Sequence, residues 1–308
     1  MLNKYLKNYG YKEEEIKKIL TDYELKSYQE NTLIRRIMET NTYLENLFSK
    51  KDVILITTTC PKIYGYDLKT LNIKYNNFLN LGYSSEELDK MIIKFPNIIC
   101  YNYEKILSKI KLLLNLGFSL EQVIKMTYKL PQLYCYKNEF KNEKFKYFLN
   151  LGFSHQEIIK MASKYPQMFS LNDEKIKNTF NTFLNLNISN NVIIKILSVS
   201  PQIFGYKEEK IEEVIEVFKN YSYSSADILL ILMKFPSVFS KSKHALIEQL
   251  EFYKQERLEY LILKNPKNLI QSVSLTRIRL QFLRDNNISS YQNLYLNSND
   301  FNKRFKTK

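Results

Sequence analysis

The stretch FLNLGYSSEELDKMIIKFPNIICYNYEKI, Phe78–Ile106, carries the punctuation from which the whole chain can be read. Gly82 can end a helix in the left-handed conformation, which costs a residue without Cβ nothing. Ser84, with Glu87 three residues on, has the form of a capping box that opens a second helix. Pro96 closes that helix, because its ring disfavours helical dihedrals in the residue before it. Two apolar residues follow, Ile98 and Ile99, and then apolar positions at Ile106, Ile110, Leu113 and Leu114 take up helical spacing again. That spacing makes one buried face.

Working outward, the same punctuation recurs. Pro61, Pro96, Pro131, Pro166, Pro201 and Pro236 are 35 residues apart, and Pro266 follows after 30. Gly82, Gly117 and Gly152 keep the period, and Asn187 takes the same place in FLNLNIS, Phe183–Ser189. Serine caps with an acid or amide three residues later recur at Ser49/Asp52, Ser119/Gln122, Ser154/Glu157, Ser224/Asp227 and Ser289/Gln292. Degenerate copies at both ends bring the total to about eight units, as expected where terminal repeats act as caps. One small helix pair cannot bury its apolar face alone, so neighbours must stack. The expected fold is an all-α solenoid of about eight 35-residue helix-pair repeats in a single domain. Within it, 1–60 and 237–295 are degenerate repeats, 61–236 regular ones and 296–308 a basic tail.

Composition supports a packed core and an anionic partner. With 44% hydrophobic residues the chain has enough apolar material for one, and its formal net charge is +14. Three cysteines, Cys60, Cys100 and Cys135, form no CxxC pair, which signals neither a disulfide scaffold nor a zinc site and fits a reducing compartment. No uncharged apolar run approaches the ~20 residues that span a bilayer. The N-terminus reaches Glu13, Glu14 and Glu15 too early for an acid-poor transit peptide, so the expected location is the cytoplasm, or an organelle if this is a mature form.

The placement of basic residues names the candidate binding surface. Lys90, Lys125, Lys160 and Lys195 lie six residues before their prolines, and Lys94, Lys129, Lys164, Lys234 and Lys264 two before. Four residues apart on a helix puts both columns on one face, and stacked repeats would line them into a ridge able to follow phosphates. The competing explanation is that lysines near helix C-termini favour the macrodipole, as Glu104, Glu139, Glu174 and Glu209 do near the starts of first helices. From Lys264 to Lys308 nine Lys/Arg stand against two acids. Arg277, Arg279 and Arg284 there suit bidentate contact with phosphate or guanine; Lys303–Lys308 reads as a solvated tail.

Other columns read as structure. Cys100 and Cys135 share a phase with Gly65, Ser170, Gly205 and Ser240, which is a small-residue position at the turn. Met91, Met126 and Met161 align with Ile196 and Ile231 as core, while Tyr66, Tyr101, Tyr136 and Tyr206 cap it near the prolines. No phosphate loop, HExxH or GxSxG motif occurs, so no catalysis, cofactor, metal or small-molecule substrate is expected.

A repeat of this length, with L-G-[YF]-S between two helices and a proline closing the second, resembles the mitochondrial transcription termination factor (mTERF) family. The likeness runs over nearly the whole chain and is clearest from Pro61 to Pro236. It implies a right-handed superhelix of triangular units, two α-helices and a short 3₁₀ turn each, gripping double-stranded DNA along a basic inner path. Members act in organellar transcription termination or initiation, and some in ribosomal RNA handling or ribosome assembly. Pentatricopeptide repeats have a similar length, but a glycine 14 residues before the proline suits the termination-factor repeat better. The expected protein is a monomer that binds duplex DNA first and structured RNA second, or else a protein-interaction solenoid.

Overall fold

The computed structural model describes residues 1–136 and 138–305, with no side-chain account of 137–141. The side chain of Glu139, and Lys306 and Lys308 altogether, therefore lie outside the described residues. Those described are helical, in α- and 3₁₀-helices, without a strand. They divide into two compact units, Met1–Glu143 and Lys144–Lys308.

In the first unit the helix pairs are α1 (Leu2–Tyr9) with α2 (Glu13–Thr21), α3 (Glu30–Glu45) with α4 (Lys50–Thr59), α5 (Leu68–Leu81) with α6 (Ser85–Lys94), and α7 (Tyr103–Asn115) with α8 (Leu120–Lys129). In the second, α9 (Asn138–Asn150), which enters at Lys144, pairs with α10 (His155–Lys164). Then come α11 (Asp173–Asn185) with α12 (Asn190–Val199), α13 (Glu208–Asn220) with α14 (Ser225–Lys234), and α15 (Lys243–Gln255) with α16 (Tyr260–Lys264). After them come α17 (Val273–Asp285) and α18 (Ser298–Phe305).

Each proline from Pro61 to Pro266 opens a 3₁₀ turn and none lies inside an α-helix. A unit is thus two helices plus a turn. The serine caps at Ser49, Ser84, Ser119, Ser154 and Ser224 form as spaced, the last four as full capping boxes. The left-handed position outlasts the glycine: Gly82, Gly117 and Gly152 are followed at the same phase by Asn187, Ser222, Arg257 and Asn287, all at positive φ. Glycine has a further reason at 82 and 152, where a Cβ would approach the Ile124 and Ile194 Cδ1 atoms to 3.1 Å.

Stacking within each unit buries the apolar faces. Second helix meets second helix, as α4 with α6 and α6 with α8, or α10 with α12 and α12 with α14. Met91, Met126, Met161, Ile196 and Ile231 are fully buried, as their shared phase requires. Leu114 departs from the expected face: it is 40% exposed, while Ile106, Ile110 and Leu113 are buried.

One expectation fails at the C-terminal end. Ser289 and Gln292 open no helix; the chain runs instead into a 3₁₀ turn, Tyr291–Asn293. Past that turn the basic stretch forms α18, whose Phe301 is buried against Phe282 at 6.1 Å, with Lys303 and Arg304 on its exposed side.

Candidate nucleic-acid interface

The lysine six residues before each proline sits mid-way along a second helix, and its nearest possible partner is the residue one turn earlier. In the first unit that residue is acidic. Lys90 pairs with Glu86 at 2.5 Å and Lys125 with Glu121 at 2.6 Å. Each pair holds its carboxyl below, and its ammonium above, the ordinary range. In the second unit the same place is taken by Gln156 and Asn191, and among the described residues no carboxylate pairs with Lys160 or Lys195. Both are exposed on neighbouring helices α10 and α12.

The lysines two residues before the prolines behave differently. Lys94 donates to the carbonyl of Lys129, and Lys164 to that of Val199 at 3.0 Å, in each case the last residue of the next repeat's second helix. An ammonium there satisfies an orphan carbonyl and meets the negative end of the helix dipole. Partial burial, and then the charge of Lys160, pull the Lys164 pKa down. The macrodipole explanation therefore holds for Lys94 and Lys164, with the neighbour's helix as the one served. Lys129, Lys234 and Lys264 are exposed at the equivalent ends of α8, α14 and α16.

The three arginines separate. Arg277 is exposed, its guanidinium 5.2 Å from the Phe252 ring centroid, and Arg284 pairs with Glu256 at 2.8 Å. Arg279 corrects the expectation of base or phosphate contact. It is 3% exposed and donates to the carbonyls of Leu294 at 3.0 Å and Leu296 at 2.5 Å, with its guanidinium 4.7 Å from the Phe301 ring centroid. Its role is to fasten the terminal turn and α18.

Arg279 belongs to a column that motif reading missed. Thirteen residues after the prolines stand Lys74, Lys109, Lys144, Thr179, Val214, Gln249 and Arg279, all on first helices. Lys74 donates to the Tyr101 carbonyl at 2.9 Å, Lys109 to that of Tyr136 at 2.8 Å, and Gln249 to that of Asn268 at 3.3 Å. Lys144, 4% exposed, pairs with Asp173. These side chains hold the next repeat's turn, and the constant offset from proline was the available signal. The tyrosines reach forward too: the Tyr66 hydroxyl donates to the Cys100 carbonyl at 3.1 Å, and that of Tyr101 lies 2.9 Å from the Cys135 Sγ.

Lys160 and Lys195 thus stand exposed on second helices and Arg277 on α17, while Lys74, Lys109 and Lys144 of the first helices are held by the repeat that follows. This surface, on units of two helices and a turn, can now be set against known families. A family model for mTERF matches residues 3–151 and again residues 137–305. The chain belongs to the mTERF family. Membership makes it a helical-repeat protein that binds nucleic acid. No curated protein matches it. Among the described residues, no helix is long and apolar enough to cross a membrane.

Proposed function

We propose that this mTERF-family chain binds double-stranded DNA through phosphate contacts from its second helices, and acts in transcription termination or regulation by blocking or positioning a polymerase. It works by occupancy and not by catalysis, as a monomer, in the cytoplasm or, as a mature form, in an organelle. The observation that carries the reading is the pair Lys160 and Lys195, exposed on adjacent helices and free of the carboxylates that neutralise Lys90 and Lys125. An ammonium without a carboxylate partner can neutralise a phosphate and release its counterion.

The test titrates labelled duplex DNA, duplex RNA and single-stranded RNA side by side over a range of salt. Duplex DNA should bind tightest. Lys160→Gln with Lys195→Gln should weaken every duplex sequence alike and lower the slope of log affinity against log salt by about 2 units, at ~0.9 per contact. Tighter binding of RNA would replace DNA as the ligand. An unchanged slope with normal helicity would remove these lysines from the interface.

A further inference from the structure

Cys60 and Cys100 come from different phases of the repeat and are 40 residues apart in the chain, so no spacing rule pairs them. The fold does. Cys60 is the residue between the end of α4 and Pro61, and Cys100 ends the following repeat's 3₁₀ turn, Pro96–Cys100. Their Sγ atoms lie 2.9 Å apart, and the two residues are 1% and 7% exposed. A disulfide needs about 2.05 Å, so closing one asks each sulfur to move well under 1 Å.

We propose that Cys60 and Cys100 are a disulfide-forming modification site, closed by a two-electron oxidant of the peroxide class, which ties together two adjacent repeat turns of the first unit. The contact with Cys100 holds the Cys60 thiol below the ordinary cysteine range, whereas that contact and burial push Cys100 well up. The two sulfurs are equivalent in the balance of the reaction, which is written from Cys60. The Cys60 thiolate attacks one peroxide oxygen, the O–O bond breaks, and hydroxide leaves, giving a sulfenic acid. The Cys100 sulfur then attacks the Cys60 sulfur, the S–O bond breaks, and the Cys100 proton leaves with the oxygen as water. Two thiols and one peroxide give one disulfide and two waters. In a reducing compartment the pair stays open until an oxidant is present. The bridge would fix α4 against the turn that follows α6 and remove freedom from the unfolded chain.

The inference is independent of the nucleic-acid reading, and so is its test. The reduced, folded full chain is exposed to hydrogen peroxide, then denatured, alkylated and weighed by mass spectrometry before and after proteolysis. Reduced protein should take three alkyl groups, one per cysteine. Oxidised protein should take one, at the exposed Cys135, and yield a peptide linking Cys60 to Cys100. Its melting temperature should rise by roughly 5 °C. Cys100→Ser keeps the residue type found at Ser170 and Ser240, so it should fold and lose the bridge. Three alkyl groups after oxidation of protein with unchanged helicity, or a bridge that uses Cys135, would overturn the assignment.

Discussion

The two units place different chemistry at the same positions of one repeat. At two places in the first, a tyrosine after the glycine meets a threonine of the following second helix and a tyrosine of the following turn. Tyr11 contacts Thr57 Oγ1 and the Tyr64 hydroxyl, each at 2.8 Å, and Tyr83 contacts Thr127 and the Tyr134 hydroxyl. In the second unit the equivalents of Tyr83, Thr127 and Tyr134 are Phe153, Leu197 and Phe204, all fully or nearly fully buried, with the two rings 6.4 Å apart. The first-helix column changes within the second unit, from Lys144 paired with Asp173 to the buried Thr179 and Val214, and returns to a cation at Arg279. The surface column changes in the opposite sense, from ion-paired to unpaired lysine. The backbone of the unit is thus set by caps, prolines and small residues, and both core and surface are free to vary around it.

The largest expected effect tests the claim that Arg279 is structural. Arg279→Ala leaves the carbonyls of Leu294 and Leu296 without their donor in a buried setting, which costs about 3 kcal/mol. Chemical denaturation should read that loss, and hydrogen exchange should rise from 291 to 305. A stable variant with weakened, sequence-selective DNA binding would return Arg279 to the interface.

Exchanging the core chemistries comes next. Phe153→Tyr introduces a hydroxyl where Leu197 and Phe204 offer no partner, at about 2 kcal/mol. Tyr83→Phe removes hydrogen bonds but leaves Thr127 bonded to the Val123 carbonyl at 2.7 Å, so about 1 kcal/mol is expected. Equal costs in urea melts would mean that the hydroxyl network adds nothing specific to the first unit.

How far the sequence reaches follows from which signals are local. Prolines, caps and the left-handed position act within a few residues, so period and phase expose them, even at Ser222 and Arg257 where glycine has gone. Ser289 and Gln292 misled because a cap motif needs a helix-length apolar stripe behind it, and only Leu294 and Leu296 follow before Ser298. On the second helices, phase located the lysines but not their state. The state was nonetheless written one turn earlier, in Glu86, Glu121, Gln156 and Asn191. Arg279 was misjudged because its local setting is basic and terminal, while its phase is that of Lys74, Lys109 and Lys144. The Cys60–Cys100 contact joins two phases across repeats, and only the stacked structure brings it into view.

The smallest expected effect bears on the surface half of the comparison. Glu86→Gln with Glu121→Gln gives the first unit the amide character found at Gln156 and Asn191, and releases Lys90 and Lys125 from their pairs. Exposed ion pairs of this kind are weak, so stability should hardly change and DNA affinity at low salt should rise by less than about tenfold. The salt slope should steepen by up to about 2 units as two further ammoniums reach phosphates. The pH dependence gives the sign independently. Both carboxyls lie below their ordinary range because a lysine faces each, so the pairs persist through neutral pH and are lost only as pH falls below the usual carboxylate range. The advantage of the double variant over the natural chain should therefore hold at neutral pH and disappear in acid, where Glu86 and Glu121 are themselves neutral. Fluorescence anisotropy with one duplex at several pH values would read it. An advantage that persists in acid would mean that the substitutions act through something other than the release of Lys90 and Lys125.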